Sequence, residues 1–402
     1  MNEMKIFLKA NDEPTSAYID RVCTLRSSYG LTWEELASII NEQCGLHYSE
    51  THYRKNFKKK TRQSLQIAPA ENIVESKEDT LSQETYEELI KIRKERMKLT
   101  DVRTQCNADL RTLSRREMLQ SIAHDIVEQM SAKKALKADY ESIPKISNAS
   151  AILEISDWHY GIEVDNHWNK YDTDICKTRV SSLLAEVLYK CRANNVSEIH
   201  VVNLADLICG RIHLPLRLQS KIDVITQVIE VSEILAEFLT DLSTRMVVHY
   251  YDCLDNHSRL EPNKSDAVDT ESLVRIITWY LKERLRDNKR VIMHENAFGD
   301  DIITFEVLGY KVAGVHGDKD KPVRVVDNLS LMTHERFDLI LTAHMHHFSC
   351  DEKNEILVVS NGSLMGTDEY AKGLRLSSKP SQNLIIVTKP NVAECIYRII
   401  LN

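Results

Sequence analysis

The chain has 402 residues, 43% of them hydrophobic and 28% charged, with a formal net charge of -8 at pH 7. That length buries a substantial core and exceeds one average domain, and the acidic balance argues against a wholly basic nucleic-acid coat while leaving room for a local basic patch. The nine cysteines are odd in number and form no CxxC pair, which argues against a disulfide framework. With no apolar leader and no run near the roughly 18 apolar residues of a membrane span, a soluble cytoplasmic protein without membrane contact is expected.

Residues 1–65 read as a small helical module. Thr32 and Glu35 form a capping-box signature, Trp33, Leu36, Ala37 and Ile40 recur at helical spacing, and Gly45 is a stop. Ser49 then caps a second helix that carries Arg54, Lys55, Lys58 and Lys59, an arrangement that resembles a helix-turn-helix. Its cations are expected to contact DNA phosphates; the alternative is a solvated helix end whose lysines favour the C-terminal dipole.

Residues 66–148 shift to a charged helical composition, read as one or two long helices ending near Pro144. Leu89, Ile92, Met97, Leu110, Leu113, Leu119, Ile122 and Ile126 are irregularly spaced, so this connector is left open as a rigid link, a segment packed on the next domain, or a surface for a homo-oligomer. From residue 149 onward, apolar runs alternate with helical patterns. Ile152 to Ile155, Ile199 to Leu204, Met246 to Tyr251, Tyr310 to Val315, Leu339 to Thr342 and Ile356 to Val359 read as strands. Helices are expected around Thr178 to Arg192, Ser220 to Thr244 and Thr270 to Leu285, giving an α/β domain over 149–402.

Polar segments stand where these strands end: Asp157-Trp158-His159, Asp206, Asn256-His257, His316 and His344-Met345-His346. Carboxyl ends of strands are where ligands gather in α/β sheets. The x, x+2 spacing of Asp157 with His159 and of His344 with His346 puts each pair on one side of a strand-like backbone, while His347 points away. Each histidine alone is more often structural; the ordered set supplies ligands for two metal ions.

That set resembles the signature of the calcineurin-like metallophosphoesterase superfamily, DxH, GD, GNH, H and GHxH, over 149–402. The resemblance implies a β-sandwich flanked by helices. It assigns Asp157, His159, Asp206 and His346 to one metal and Asp206, Asn256, His316 and His344 to the other, with Asp206 bridging. Two divalent ions, Mn first and Fe or Zn as alternatives, would share a hydroxide for in-line attack on phosphorus, and His257 would assist the leaving group as general acid. Arg211, His213, Arg217 and Arg259 are candidates to engage phosphate, with surface ion pairing as the equal alternative. Asn361, Gly362 and Ser363 either line the pocket or form a plain turn.

Three motif glycines are replaced, by Ala205, Asp255 and Ala343, so a metal-binding but slow enzyme is one expectation. The phosphoesterase part is similar to nuclease subunits of double-strand-break repair complexes, and the whole arrangement is similar to proteins of bacterial viruses and prophages. A metal-dependent DNA phosphodiesterase is therefore expected, with a phosphomonoesterase or cyclic-nucleotide phosphodiesterase, or a catalytically weak DNA-binding protein, as alternatives.

Overall fold

The computed structural model describes residues 8–10, 13–26, 32–57, 83–143, 147–212, 219–261, 263–320 and 324–402. Lys58, Lys59, Pro144, His213 and Arg217 lie outside these. The chain divides into two compact units, residues 1–97 and 98–402.

In the first unit, α1 (Thr15–Leu25), α2 (Trp33–Cys44) and α3 (50–57) surround a small core of Tyr18, Val22, Leu36, Ile40 and Tyr53. The expected capping box is present: the Glu35 N–H donates to Thr32 Oγ1 at 3.2 Å, and the Thr32 N–H donates to Glu35 Oε2 at 2.8 Å. Gly45 ends α2 at φ 65, a left-handed position that costs glycine little. Arg54 and Lys55 stand exposed on α3. A third helix ahead of the expected pair completes the core.

α4 (Gln83–Ala132) is one continuous helix. Leu99, Val102, Leu110 and Leu113 are exposed on it, whereas Ile122 and Ile126 are fully buried in the core of the second unit. Its last turns therefore pack into that core.

The second unit contains β1 (Ala149–Ile155), the short pair β2 (Val164–Asp165) and β3 (Lys170–Tyr171), β4 (Glu198–Asn203), β5 (Val247–Asp252) and β6 (Val291–Met293). These are followed by β7 (Ile303–Val307), β8 (Tyr310–Gly314), β9 (Leu339–Thr342), β10 (Ser349–Lys353), β11 (Ile356–Ser360), β12 (Ser381–Thr388) and β13 (Asn391–Ile400). The first sheet runs β13-β12-β1-β4-β5-β6 and the second β10-β11-β9-β8-β7. β1, β4, β5 and β6 are parallel, which requires crossovers, and α5 (Thr173–Ala193), α6 (Val224–Ser243) and α7 (Val274–Arg284) supply them.

Alternation divides each strand between two cores. Ile152, Val202 and Leu204 meet Ile303, Val312, Leu339 and Leu341 between the sheets. Leu153, Ile155 and Val201 face Val180, Leu183, Val228 and Leu235 of the helices. On the far side, α8 (Val325–Thr333) covers the second sheet through Val326 and Leu329. The expected α/β class and helix-flanked β-sandwich are thus both present. Leu341 is fully buried three residues before His344, so truncating it to alanine would cost roughly 2–5 kcal/mol. Among the described residues, no helix is long and apolar enough to cross a membrane.

Candidate metal centre

All five polar segments follow the carboxyl ends of neighbouring strands, β1, β4, β5, β8 and β9, and converge on one pocket. The local backbone differs from the expected strand-like alternation. Asp157, His159, Asp206, His344 and His346 have φ between 46° and 66°. Left-handed turns, not a pleat, aim each x, x+2 pair inward; non-glycine residues held there store strain, and such strain concentrates at functional sites. His347 is exposed, with Nδ1 at 3.0 Å from the Met345 carbonyl, and points away as expected.

Two clusters lie side by side, Asp157, His159 and His346 in one and Asp206, His316 and His344 in the other. In the first, His346 Nε2 lies 3.3 Å from Asp157 Oδ1 and 3.1 Å from His159 Nε2. In the second, His316 Nε2 lies 3.2 Å from Asp206 Oδ2, 3.0 Å from Asn256 Oδ1 and 3.1 Å from His344 Nδ1. Two donor atoms each about 2.1 Å from one ion stand about 3.0–3.4 Å apart in octahedral or tetrahedral geometry, so these spacings suit a shared cation. His159 Nε2, at 3.8 Å from Asp206 Oδ2, links the clusters.

Asp157 Oδ1 and Asp206 Oδ2 are buried, and their ion-pair neighbours are the imidazoles of His346 at 3.3 Å and His316 at 3.2 Å. Such atoms are costly unless a cation completes them. Burial disfavours charge on Asp206, yet His257 and His316 beside it hold its carboxyl well below the usual range. Burial also opposes charge on His316, but Asp206, Asp157 and Asp255 outweigh it and carry that imidazole up to about 10. A pocket that draws a proton onto a buried imidazole has the excess negative potential that suits divalent ions, and its carboxylate, amide and imidazole donors fit Mn, Fe or Zn.

The surroundings fix the donors. His316 Nδ1 donates to the Leu204 carbonyl at 2.7 Å, which leaves Nε2 to face Asp206. His257 Nδ1 donates to the Cys209 carbonyl at 2.9 Å, and its Nε2 lies 3.8 Å from Asp206 Oδ2. Distance alone also groups His257 with His159 and Asp206 as donors. Asp157 Oδ2 accepts from Ser156 Oγ at 2.7 Å, and Ser156 Oγ accepts from Asn361 Nδ2 at 2.9 Å. Ser363 Oγ donates to the Asp157 carbonyl at 2.9 Å. Asn361 and Ser363 thus brace a donor instead of forming a plain turn.

The replaced glycines act differently from one another. Asp255 accepts from the Asp206 N–H at 2.9 Å, the Ser258 N–H at 2.6 Å and Ser258 Oγ at 2.8 Å, bracing two motifs at once. Burial, followed by the nearby Asp206 charge, pushes its carboxyl up to about 6. Of the three, Ala205 alone has a positive φ, 68°. Arg259 donates to the Glu261 and Asn256 carbonyls at 3.0 and 2.9 Å, securing its own loop. Arg211 reaches α4, its Nη1 donating to Met118 Sδ at 3.0 Å.

Residues 3–66 match the family described as the YonJ N-terminal domain. The chain is 27% identical over 389 residues to the SPbeta prophage-derived uncharacterized protein YonJ of Bacillus subtilis (strain 168), covering 94% of each chain. Among solved structures, it is similar to a novel archaeal phosphodiesterase, at 15% identity over 62% of this chain and 99% of that one, with a TM-score of 0.33. It is also similar to Vps29 of Entamoeba histolytica complexed with zinc, at 12% identity over 63% of this chain and 99% of that one, with a TM-score of 0.30. At these identities and TM-scores, the two-sheet architecture rests on the chain's own strand order and not on either neighbour.

Proposed function

We propose that the chain is a divalent-metal-dependent phosphodiesterase acting on DNA. The observation that carries the reading is the convergence of two buried carboxylate oxygens, Asp157 Oδ1 and Asp206 Oδ2, with His346 and His316 at 3.3 and 3.2 Å. Asp157, His159, Asp206 and His346 would hold one ion and Asp206, Asn256, His316 and His344 the other. Ions bound there would supply Lewis-acid stabilisation of phosphoryl oxygens and lower the pKa of an attacking water.

The chain's own residues do the rest. Asp206 Oδ2, 3.2 Å from His316 and 3.8 Å from His159, would be the carboxylate common to both positions. His316 is oriented into the site by its hydrogen bond to the Leu204 carbonyl. His257, with Nδ1 committed to the Cys209 carbonyl, presents Nε2 to the pocket and would deliver a proton to the leaving oxygen. DNA is favoured over small esters by the exposed Arg54 and Lys55 on α3 and by the likeness to a prophage-derived protein.

Turnover of a bis-aryl phosphodiester, an aryl monoester, linear DNA and cyclic nucleotides, each with Mn, Fe, Zn or Mg, tests this. Mn-dependent cleavage of the diester and DNA is expected. Turnover confined to monoesters or cyclic nucleotides, or DNA binding without turnover, would contradict it. Changing Arg54, Lys55, Lys58 and Lys59 to alanine should weaken duplex binding and flatten its salt dependence by about 0.9 per lost phosphate contact. An unchanged salt slope would leave the module as a solvated helix end.

A further inference from the structure

A cavity of about 470 Å³ is lined by Arg111, Arg115 and Met118 of α4 and by Arg211, Leu260 and Glu261, from the loops that carry Asp206 and His257. Its position follows from the chain. Arg211 comes directly after Gly210, whose backbone packs against the His257 carbonyl, and Leu260 and Glu261 come just past His257.

The charges lining this cavity are unevenly matched. Arg115 is paired with Glu261 at 3.0 Å and Glu271 at 3.6 Å. Arg211 has only the Met118 thioether, a weak acceptor, on Nη1, and its Nε is buried without a partner among the described residues. Arg111 is exposed with no ion-pair partner among the described residues. Two guanidinium groups therefore face the cavity without a carboxylate of their own.

The cationic face continues along the helix. Arg103, Asn107, Arg111 and Arg115 recur at four-residue spacing, each next to the one before in a slowly winding row that holds no Asp or Glu of the helix, with Arg115 at its end paired to Glu261 and Glu271. Twelve residues of helix span about 18 Å, far more than one phosphate ion occupies. A row of that length suits the spaced phosphates of an extended strand.

We propose that this face of α4, from Arg103 to Arg115 together with Arg211, is a track for the phosphate backbone of a nucleic-acid strand entering the metal centre. This rests on the phosphodiesterase reading for its purpose, but its test does not require turnover. Binding of a fluorescent oligothymidylate of about twelve nucleotides is measured in EDTA across a salt series. The full chain is compared with Arg111→Glu and with Arg116→Glu, which makes the same charge change at an exposed neighbouring position on the helix.

Arg111→Glu should weaken binding about tenfold and flatten the salt slope by about 0.7 per lost contact, while Arg116→Glu stays within about twofold. Equal losses in both variants would reduce the effect to net charge and overturn the track, as would no loss in either. Competition by inorganic phosphate as effective as that by the unlabelled strand would replace the track with a single-phosphate pocket. Selective loss in Arg111→Glu, alongside a chain that hydrolyses no phosphodiester with any metal, would sink the catalytic reading and leave the track standing.

Discussion

Gly210→Ala isolates how tightly the site loops are set. A methyl group built at Gly210 would lie 2.1 Å from the His257 carbonyl oxygen, and contacts under 3.0 Å are essentially never tolerated. The two segments must therefore part by at least about 0.9 Å, the difference of those two distances. The hydrogen bond from His257 Nδ1 to the Cys209 carbonyl crosses the same gap, so the imidazole moves with the backbone. A misplacement near 1 Å costs on the order of 10²-fold in rate, or about 2.7 kcal/mol. Overpacking adds a stability loss of roughly 1–3 kcal/mol. The assay is kcat on a bis-aryl phosphodiester at saturating Mn, with elemental analysis of the same sample. Gly309→Ala is the control, because Gly309 also has a positive φ, 93°, but nothing within 4 Å. If Gly210→Ala kept kcat within twofold of the parent, the link from this contact to His257 would be refuted.

Three further outcomes are expected. His257→Ala should retain both metals and lose roughly 10² to 10⁴ in rate; elemental analysis showing one ion gone would make His257 a ligand. Ala205→Gly should leave kcat unchanged and shift stability by less than about 1 kcal/mol, because relief of left-handed strain is offset by a lost buried methyl and by glycine's unfolded-state entropy. A tenfold gain in phosphodiester turnover would show that the replaced glycine is limiting.

The third concerns pH and lies away from the metal centre. His200 stacks on His249 and Phe305 at 4.7 and 4.9 Å, with Tyr251 OH at 3.2 Å and Glu198 at 4.0 Å. Burial, then the neighbouring His249 and His294, depresses His200 to about 3; burial lowers His249 and His294 as well. The unfolded chain binds these protons first, so stability is full above about pH 6.5 and falls as the pH drops toward 3. At pH 5, His200 alone accounts for about 2 kcal/mol, from 1.36 kcal/mol per pH unit over about 1.5 units. Denaturant melts should show His200→Phe with a flatter acid limb, and parallel limbs would remove His200 as the cause.

Much of the site was legible because its donors sit where apolar runs stop, and the run from Ile199 to Leu204 is enough to place Asp206 at a strand end. The reason for their shared direction was not legible. Spacing alone suggested a pleat, whereas φ values of 52° at Asp157 and 66° at His344 come from turns held by distant partners. Gln382 shows how distant, since it accepts from the Ser156 N–H at 2.8 Å across 226 residues. Asp255 read as a lost glycine because its role depends on where the Asp206 N–H lies in space. The closing β-hairpin went unread although Leu384, Ile385, Ile386 and Val387 form an apolar run; Ser381, Gln382 and Asn383, buried polar residues at its start, mask the pattern. The contact of Arg211 with Met118 joins segments 93 residues apart, beyond any local signal.

In the proposed centre one carboxylate, Asp206, serves two cation positions. The direct measurement is Mn stoichiometry by elemental analysis after equilibrium dialysis, on the full chain and on Asp206→Asn, with circular dichroism to verify that both are folded. About two ions per parent chain are expected, with loss of tight binding at both positions, together with turnover, in the variant. A folded Asp206→Asn chain that kept both ions and near-normal hydrolysis would contradict that expectation.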